Sequence, residues 1–334
     1  MNLFIQGMRR SGTTILYDAL LADPELSCFY EPLREEKVTE GGGSGAREGD
    51  AFAETSALRE EFRRERYPEL AIEQFNWGGP REPALELEPE LPEHCTALLR
   101  HLLEHGASEG SADSVVKETR LYCKLADLHR IDPDAALVHV VRDPRAVAAS
   151  IVLGRGRRRQ RKLRTPDDFF ADRVERKLWS SREISRRLLE RSGYPEIDNP
   201  SNVERVLVVW RLTFEAARVE GRRLFGDRYL PLRNEDLRSD PAAAIGRVYA
   251  LLGRPTPDAV ARWAKRNVSS RQQVFAREDP RWLASFERLV LGEAIEQAGY
   301  ADLLEPGAYS SPEARFAGAM RRARDRLRAA GRRG

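Results

Sequence analysis

Short solid apolar runs and longer helical stripes take turns along this chain. Leu3-Phe4-Ile5 is a strand-length run, followed by a glycine-bearing turn and then a helical pattern over 14–21. Strand, loop and helix in that order open a βαβ unit. Asp23-Pro24 ends the helix, because proline has no N–H with which to continue it. Residues 114–116 read as a buried strand. Residues 135–141 (AALVHVV) are the clearest strand, apolar almost throughout, as suits a parallel strand covered on both faces. Residues 227–232 complete the strand candidates. Helical periodicity predicts helices over 51–66, 93–104, 121–130, 146–153, 202–225, 242–252 and 282–298. Between them, 40–50 carries Gly41-Gly42-Gly43-Ser44-Gly45 and reads as a mobile surface loop, and 68–92, rich in Pro and Glu, as irregular. Strands alternating with helices predict an α/β fold, with a central parallel sheet between two helical layers.

Composition narrows the partners more than the fold. The 334 residues suffice for a sizeable core, and a net charge of +3 creates no whole-molecule field for nucleic acid. One segment is strongly basic: 155–164 (RGRRRQRKLR) carries seven cations in ten positions. It has no interleaved aromatics for base stacking, so no nucleic-acid partner is expected. It reads either as a solvated loop or as an attraction for an acidic acceptor. The basic tail 315–334 reads as a frayed end or as a helix lying on an anionic surface. No stretch approaches the roughly twenty apolar residues that cross a bilayer, and 2–6 is too short for a signal peptide. Cys28, Cys95 and Cys123 are unclustered and read as reduced thiols, which predicts a cytoplasmic protein. His101 and His105, with Cys95 near, lack a second ligand pair, so no metal site is expected. Trp210 and Trp282 read as core or pocket wall.

The first turn carries candidate chemistry. Gly7-Met8-Arg9-Arg10-Ser11-Gly12-Thr13-Thr14 has the two glycines of a phosphate-binding P-loop and a hydroxyl at Thr14, but Thr13 stands where the lysine belongs. Glycines let backbone N–H groups turn inward, and the helix N-terminus adds partial positive charge. Without the lysine, hydrolysis of ATP or GTP is a poor reading; Arg9 and Arg10 instead put cations inside the loop. A tight turn with incidental arginines is the plain alternative. A second candidate follows the clearest strand. Arg142 sits at its C-terminal end, where open parallel sheets bind ligands. Pro144 suits the first turn of a helix, and Ser150 lies about two turns into it. Arg142 and Ser150 are read as a grip on a second phosphate, well separated from the first.

RRSGTT followed by RDPRAVAAS resembles the PAPS-dependent sulfotransferase superfamily, with motifs most like its carbohydrate and tyrosylprotein branches. Three more stretches share the resemblance: DPELSCFYEPL after the first loop, VVKETR around Lys117, and YLPLRNEDL, in which Asn234 replaces the usual tyrosine. It spans roughly residues 3–300, with a divergent insert near 37–92. The resemblance implies a P-loop-type three-layer α/β/α domain over 1–305 with helical insertions, and a basic tail over 306–334. It implies that the first motif (Arg9, Arg10, Ser11, Gly12, Thr13, Thr14) holds the 5′-phosphosulfate of 3′-phosphoadenosine 5′-phosphosulfate (PAPS). Arg142 and Ser150 then hold its 3′-phosphate, and the spent product is adenosine 3′,5′-bisphosphate (PAP). Glu31 is the implied base for an acceptor hydroxyl, with Lys117 and Arg10 as cations at the transferring group and the leaving phosphate. The region of Ser269 and Ser270, with Arg277 or Arg281, is implied to complete the nucleotide pocket, and no metal is required. The acceptor stays open: a saccharide, a lipid or natural product, or a peptide tyrosine. Two other readings stand beside it, a P-loop kinase of a small molecule and a non-catalytic binder of acidic polymers through 155–164.

Overall fold

A computed structural model describes residues 1–34, 46–77, 82–108, 110, 113–154, 163, 165–174, 181–191, 193–270 and 274–309. Five strands form one all-parallel sheet: β1 (Leu3–Gln6), β2 (Leu26–Tyr30), β3 (Asp113–Lys117), β4 (Ala136–Val141) and β5 (Tyr229–Arg233), in the order β2-β3-β1-β4-β5. The register sets Leu3 opposite Val115 and Ala136, Tyr30 opposite Lys117, and Val141 opposite Arg233.

Alternation along the strands loads both faces of the sheet, because successive side chains point to opposite sides. Leu3, Ile5, Val115, Val138 and Val140 face one cluster, shared with helix α1 (Thr13–Leu20) and the helix Pro241–Leu251. Phe4, Val116 and Leu137 face the other, built with α3 (Glu93–Ser108), α4 (Leu125–Ile131) and the far end of the long helix Asn202–Phe225. A third cluster joins α5 (Pro144–Leu153) to the long helix and to Trp282 and Phe286. This is the three-layer α/β fold that the pattern predicts. The long helix has its predicted bounds, fixed at the start by a capping box of Ser201 and Glu204.

Several expectations need correction. β2 was not foreseen: LSCFY is short, sits at the sheet edge and breaks its apolar run with Ser27. The helix expected over 282–298 is two, Arg281–Arg288 and Gly292–Gln297. Val290, with φ 53° and 64% exposed, turns the chain so that Leu289 and Leu291 both point inward. One straight helix would hold them about 200° apart. The loop expected over 40–50 is partly helix, since α2 begins at Ala46 (Ala46–Arg66) and is rich in helix formers. Gly41–Gly45, the basic run 155–164 apart from Leu163, and the tail 315–334 lie outside the described residues. The described residues of 68–92 hold two 3₁₀ turns, Ile72–Phe75 and Pro83–Leu87. Its Phe75 is fully buried against α3, which ties the insert to the body. Among the described residues, no helix is long and apolar enough to cross a membrane.

Candidate active site

The C-terminal ends of all five strands converge on one edge, and each delivers a candidate side chain or loop. After β1 comes the glycine loop, after β2 Glu31, at the end of β3 Lys117, after β4 Arg142, and after β5 Asn234.

The loop is folded by tight backbone contacts. Ser11 N–H donates to the Met8 carbonyl at 3.0 Å. A Cβ on Gly7 would lie 2.5 Å from the Val140 carbonyl oxygen, so β4 packs directly on the loop. Gly12 caps α1 with φ 101°, and a Cβ there would fall 1.9 Å from Asn234 Nδ2. Arg10 also takes positive φ, at 74°, a conformation uncommon outside glycine. No side chain caps α1, so its first N–H groups are left for an anion.

The two sequence motifs meet. Arg10 Nε donates to Ser150 Oγ at 2.8 Å, and Arg142 Nη1 donates to the Arg10 carbonyl at 2.9 Å. Arg142 and Ser150 therefore lie within one hydrogen bond of the first loop rather than well apart from it. The Arg142 carbonyl accepts from Trp210 Nε1 at 3.0 Å, so that tryptophan, 2% exposed, braces the anchor from the core side. Burial first, and the Arg238 guanidinium second, work against the charge on Arg142, while Glu235 and Asp143 support it. An anion at this edge would relieve the crowding of cations.

Glu31 and Lys117 form a buried ion pair at the adjoining strand ends. Glu31 is 8% exposed, adopts φ 45°, and donates its N–H to the Lys117 carbonyl at 2.8 Å. Its carboxylate also accepts from Thr119 Oγ1 at 3.3 Å and from Arg34 at 3.2 Å. Burial alone would raise its pKa, but Lys117, Arg34 and Arg120 overcome that and bring it down to about 2. Lys117 Nζ lies 4.1 Å from the centre of the Tyr30 ring, and the Tyr30 hydroxyl meets Thr14 Oγ1 at 3.3 Å. This chain of contacts links the ion pair to the P-loop.

Arg9 turns away from Arg10 and pairs with the buried carboxylate of Glu86, which also accepts from the Tyr122 hydroxyl at 3.0 Å. Beside this pair lies a small cleft, lined by Met8, Arg9, Glu86, Thr119, Tyr122, Ile151, Val209 and Thr213. Ser270 is exposed, and its neighbour Ser269 is tied through its carbonyl to Arg238 at 2.6 Å. Arg277 gives its carbonyl to Arg145 at 3.1 Å. Arg281 pairs with Asp279 and Asp167 and lies over the Phe170 ring, so its known contacts do not reach the loop.

A phosphate-bearing nucleotide fits these residues on two counts. Gly7 and Gly12 form a cradle that any Cβ would fill. Four buried groups around it, Gln6, Ser11 Oγ, Asn234 Nδ2 and Arg142 Nε, have no hydrogen-bond partner among the described residues, an arrangement that folded proteins rarely tolerate without a ligand or water. The Asn234 amide is oriented by Arg238 Nε, which donates to its Oδ1 at 3.0 Å and leaves Nδ2 facing Gly12. Glu86, Thr119 and Tyr122 were not singled out from sequence. Glu86 is one of several glutamates in an acidic, proline-rich stretch, and nothing local marks it.

A model of the sulfotransferase family matches residues 2–192, more than half of the chain. No curated protein matches. Among solved structures, the sulfotransferase domain from the Synechococcus PCC 7002 olefin synthase is 17% identical, covers 78% of this chain and 75% of its own, and has a TM-score of 0.40. Sulfotransferase STF1 from Mycobacterium tuberculosis H37Rv is 15% identical, with coverages of 90% and 76% and a TM-score of 0.45. Sulfotransferase STF9 from Mycobacterium avium is 15% identical, with coverages of 89% and 76% and a TM-score of 0.44. The family match spans the glycine loop, Glu31, Lys117, Arg142 and Ser150, and on it the chain belongs to the sulfotransferase family.

Proposed function

We propose that the protein transfers a sulfonate from PAPS to an acceptor hydroxyl, with the glycine loop and the Arg142–Ser150 pair as one clamp for the donor's two phosphates. The observation that carries this is the junction of the motifs: Arg10 reaches Ser150, and Arg142 reaches the Arg10 backbone. Gly7 to Thr14, with the Asn234 amide that faces Gly12, would hold the 5′ end; Arg142 and Ser150 would lie toward the 3′-phosphate. Ser270 and Arg281 are kept as outer contacts. When bound, the donor supplies a sulfonate on a good leaving phosphate.

The chain's own work is positioning and charge. Arg10 and Lys117 put cations beside the reacting group. Lys117 and Arg34 keep Glu31 ionised, ready to accept a proton, although a carboxylate held so low is a weak base. An anion beside Lys117 would compete for its ammonium and return Glu31 toward the ordinary carboxylate range. The reaction needs no metal in this scheme, and the Thr14 hydroxyl, a Mg²⁺ ligand in P-loop NTPases, bonds Tyr30 instead. The domain would run over 1–305, working in the cytoplasm.

Transfer of labelled sulfonate from PAPS to a panel of hydroxyl acceptors tests the reading. Wild type should transfer label. Glu31→Gln should lose about 100-fold or more in turnover, in line with removal of a general base, yet keep the rise in melting temperature given by PAP. Turnover near wild type in Glu31→Gln would remove Glu31 from the base role.

A further inference from the structure

The turn that carries Glu31 is held from outside by the insert. Each backbone polar group of residues 31–34 has a partner, as buried backbone requires. Glu31 N–H donates to the Lys117 carbonyl at 2.8 Å, and the Glu31 carbonyl accepts from Arg34 N–H at 2.9 Å. Leu33 N–H donates to Glu118 Oε1 at 2.8 Å. The three remaining carbonyls look to the insert. That of Leu33 accepts from Trp77 N–H at 2.9 Å. Those of Pro32 and Arg34 accept from Arg59 Nη1, at 3.2 and 2.7 Å. Arg59 stands on α2, is 1% exposed, and also donates to Asn76 Oδ1 at 3.3 Å. On the same face of α2, four positions earlier, Thr55 Oγ1 accepts from Tyr30 N–H at 3.1 Å. One helix of the insert therefore grips the chain on both sides of Glu31. Burying a guanidinium is costly unless hydrogen bonds compensate, and these bonds fall on the backbone that flanks the candidate base.

We propose that Arg59 is a positioning residue for sulfonate transfer: through the Pro32 and Arg34 carbonyls it fixes the turn that aims the Glu31 carboxylate. This rests on the sulfonate-transfer reading with Glu31 as base. Glu31 adopts φ 45°, a conformation that persists only where its surroundings impose it. Lys117, Arg34 and Arg120 are the cations that keep Glu31 ionised; what Arg59 sets is the backbone. Its planar fork suits this task, and a lysine, with a single ammonium on a flexible stem, does not reproduce it.

The test compares the full chain with Arg59→Lys, which keeps the charge. Label from PAPS is transferred to a mixture of 4-methylphenol, cyclohexylmethanol and N-acetylglucosamine. Arg59 makes further contacts, so turnover is read at a temperature below both melting points. Arg59→Lys should lower kcat about 10- to 100-fold, the effect of a misplaced reacting group, while KM for PAPS and the PAP melting shift stay as in wild type. Amide hydrogen exchange in the ligand-free protein should quicken over 31–34 and not over the glycine loop. In a Glu31→Gln background the same change should cost nothing more, because residues acting through one group are not additive. Arg63, on the same helix, donates to the Leu70 carbonyl at 3.1 Å within the insert, and Arg63→Lys should leave kcat unchanged. Wild-type kcat in Arg59→Lys, unchanged exchange over 31–34, or an equal further loss in the Glu31→Gln background overturns the positioning role and leaves the donor reading standing. Wild-type turnover in Glu31→Gln, or no PAP shift in wild type, instead removes the reading on which the proposal rests, and the proposal with it. Should Arg59→Lys fail to fold, Asn76→Ala, which removes the side chain that orients Arg59, should lower kcat in the same sense, and an unchanged kcat there overturns the proposal.

Discussion

Glu31 sits where its own backbone resists, at positive φ, and its bonds to Lys117, Thr119 and Arg34 hold it there, with the neighbouring Glu118 bracing the turn. Glu118 accepts from Leu33 N–H at 2.8 Å and so pins the turn that carries Glu31. A positive φ at a non-glycine residue costs about 1–3 kcal/mol and persists where surrounding structure imposes it, often at functional sites. The two carboxyls respond oppositely to pH. Glu31 is lowered, so its contribution is present above the ordinary carboxylate range and is lost as pH falls toward about 2. Glu118 is raised to about 7, first by burial and then by the charge of Glu31. The folded state therefore binds a proton that the unfolded chain has released, and stability falls as pH rises from the ordinary carboxylate range through about 7. Replacing Glu118 by Gln removes that fall. The melting temperature of Glu118→Gln relative to wild type should rise between about pH 5 and about pH 8. A difference that stays flat or declines across this range would contradict the assignment.

At the scale of elements, the strand–loop–helix unit works because β1, β4 and the Asn234 helix (Asn234–Ser239) press on one loop. Gly12 has no room for a methyl group and takes a φ that other residues avoid. Gly12→Ala should cost about 1–3 kcal/mol of stability from the backbone alone. It should also abolish the PAP-induced melting shift, because relief of the clash must move Asn234 or the loop. A variant with wild-type melting and an intact PAP shift would show that the loop is looser than described. Local patterns reveal these elements well. The run 135–141 and the stripe 202–225 announce themselves, since each periodicity is set by burial within its own element. β2 and the break at Val290 do not, because an edge position and a turn that buries two leucines are decided by tertiary contacts.

For the molecule as a whole, the site's legibility divides in the same way. The loop, Glu31, Lys117, Arg142 and Ser150 are readable because each lies at a strand end or in the loop or helix that follows it, and the parallel topology gathers those ends on one edge. Glu86 belongs to the insert, which reaches the edge only through its own folding and binds to the body through Phe75 and through Arg59, bonded to the Pro32 and Arg34 carbonyls. No pattern within the insert reports where it docks. The same holds for the Asn234 amide, whose direction depends on Arg238.

The central claim is a clamp for two phosphates, and the affinities of PAP and of 5′-AMP, measured by calorimetry without added metal, test it most directly. The second phosphate meets at least one charged contact, worth about 1.5–3 kcal/mol. PAP should therefore bind about 10- to 100-fold more tightly than 5′-AMP, and Arg142→Ala, which also removes the bond to the Arg10 carbonyl, should weaken PAP more than 5′-AMP and so erase most of that margin. Equal affinities in the wild type, or tight binding of ATP with Mg²⁺ and none of PAP, would contradict the account.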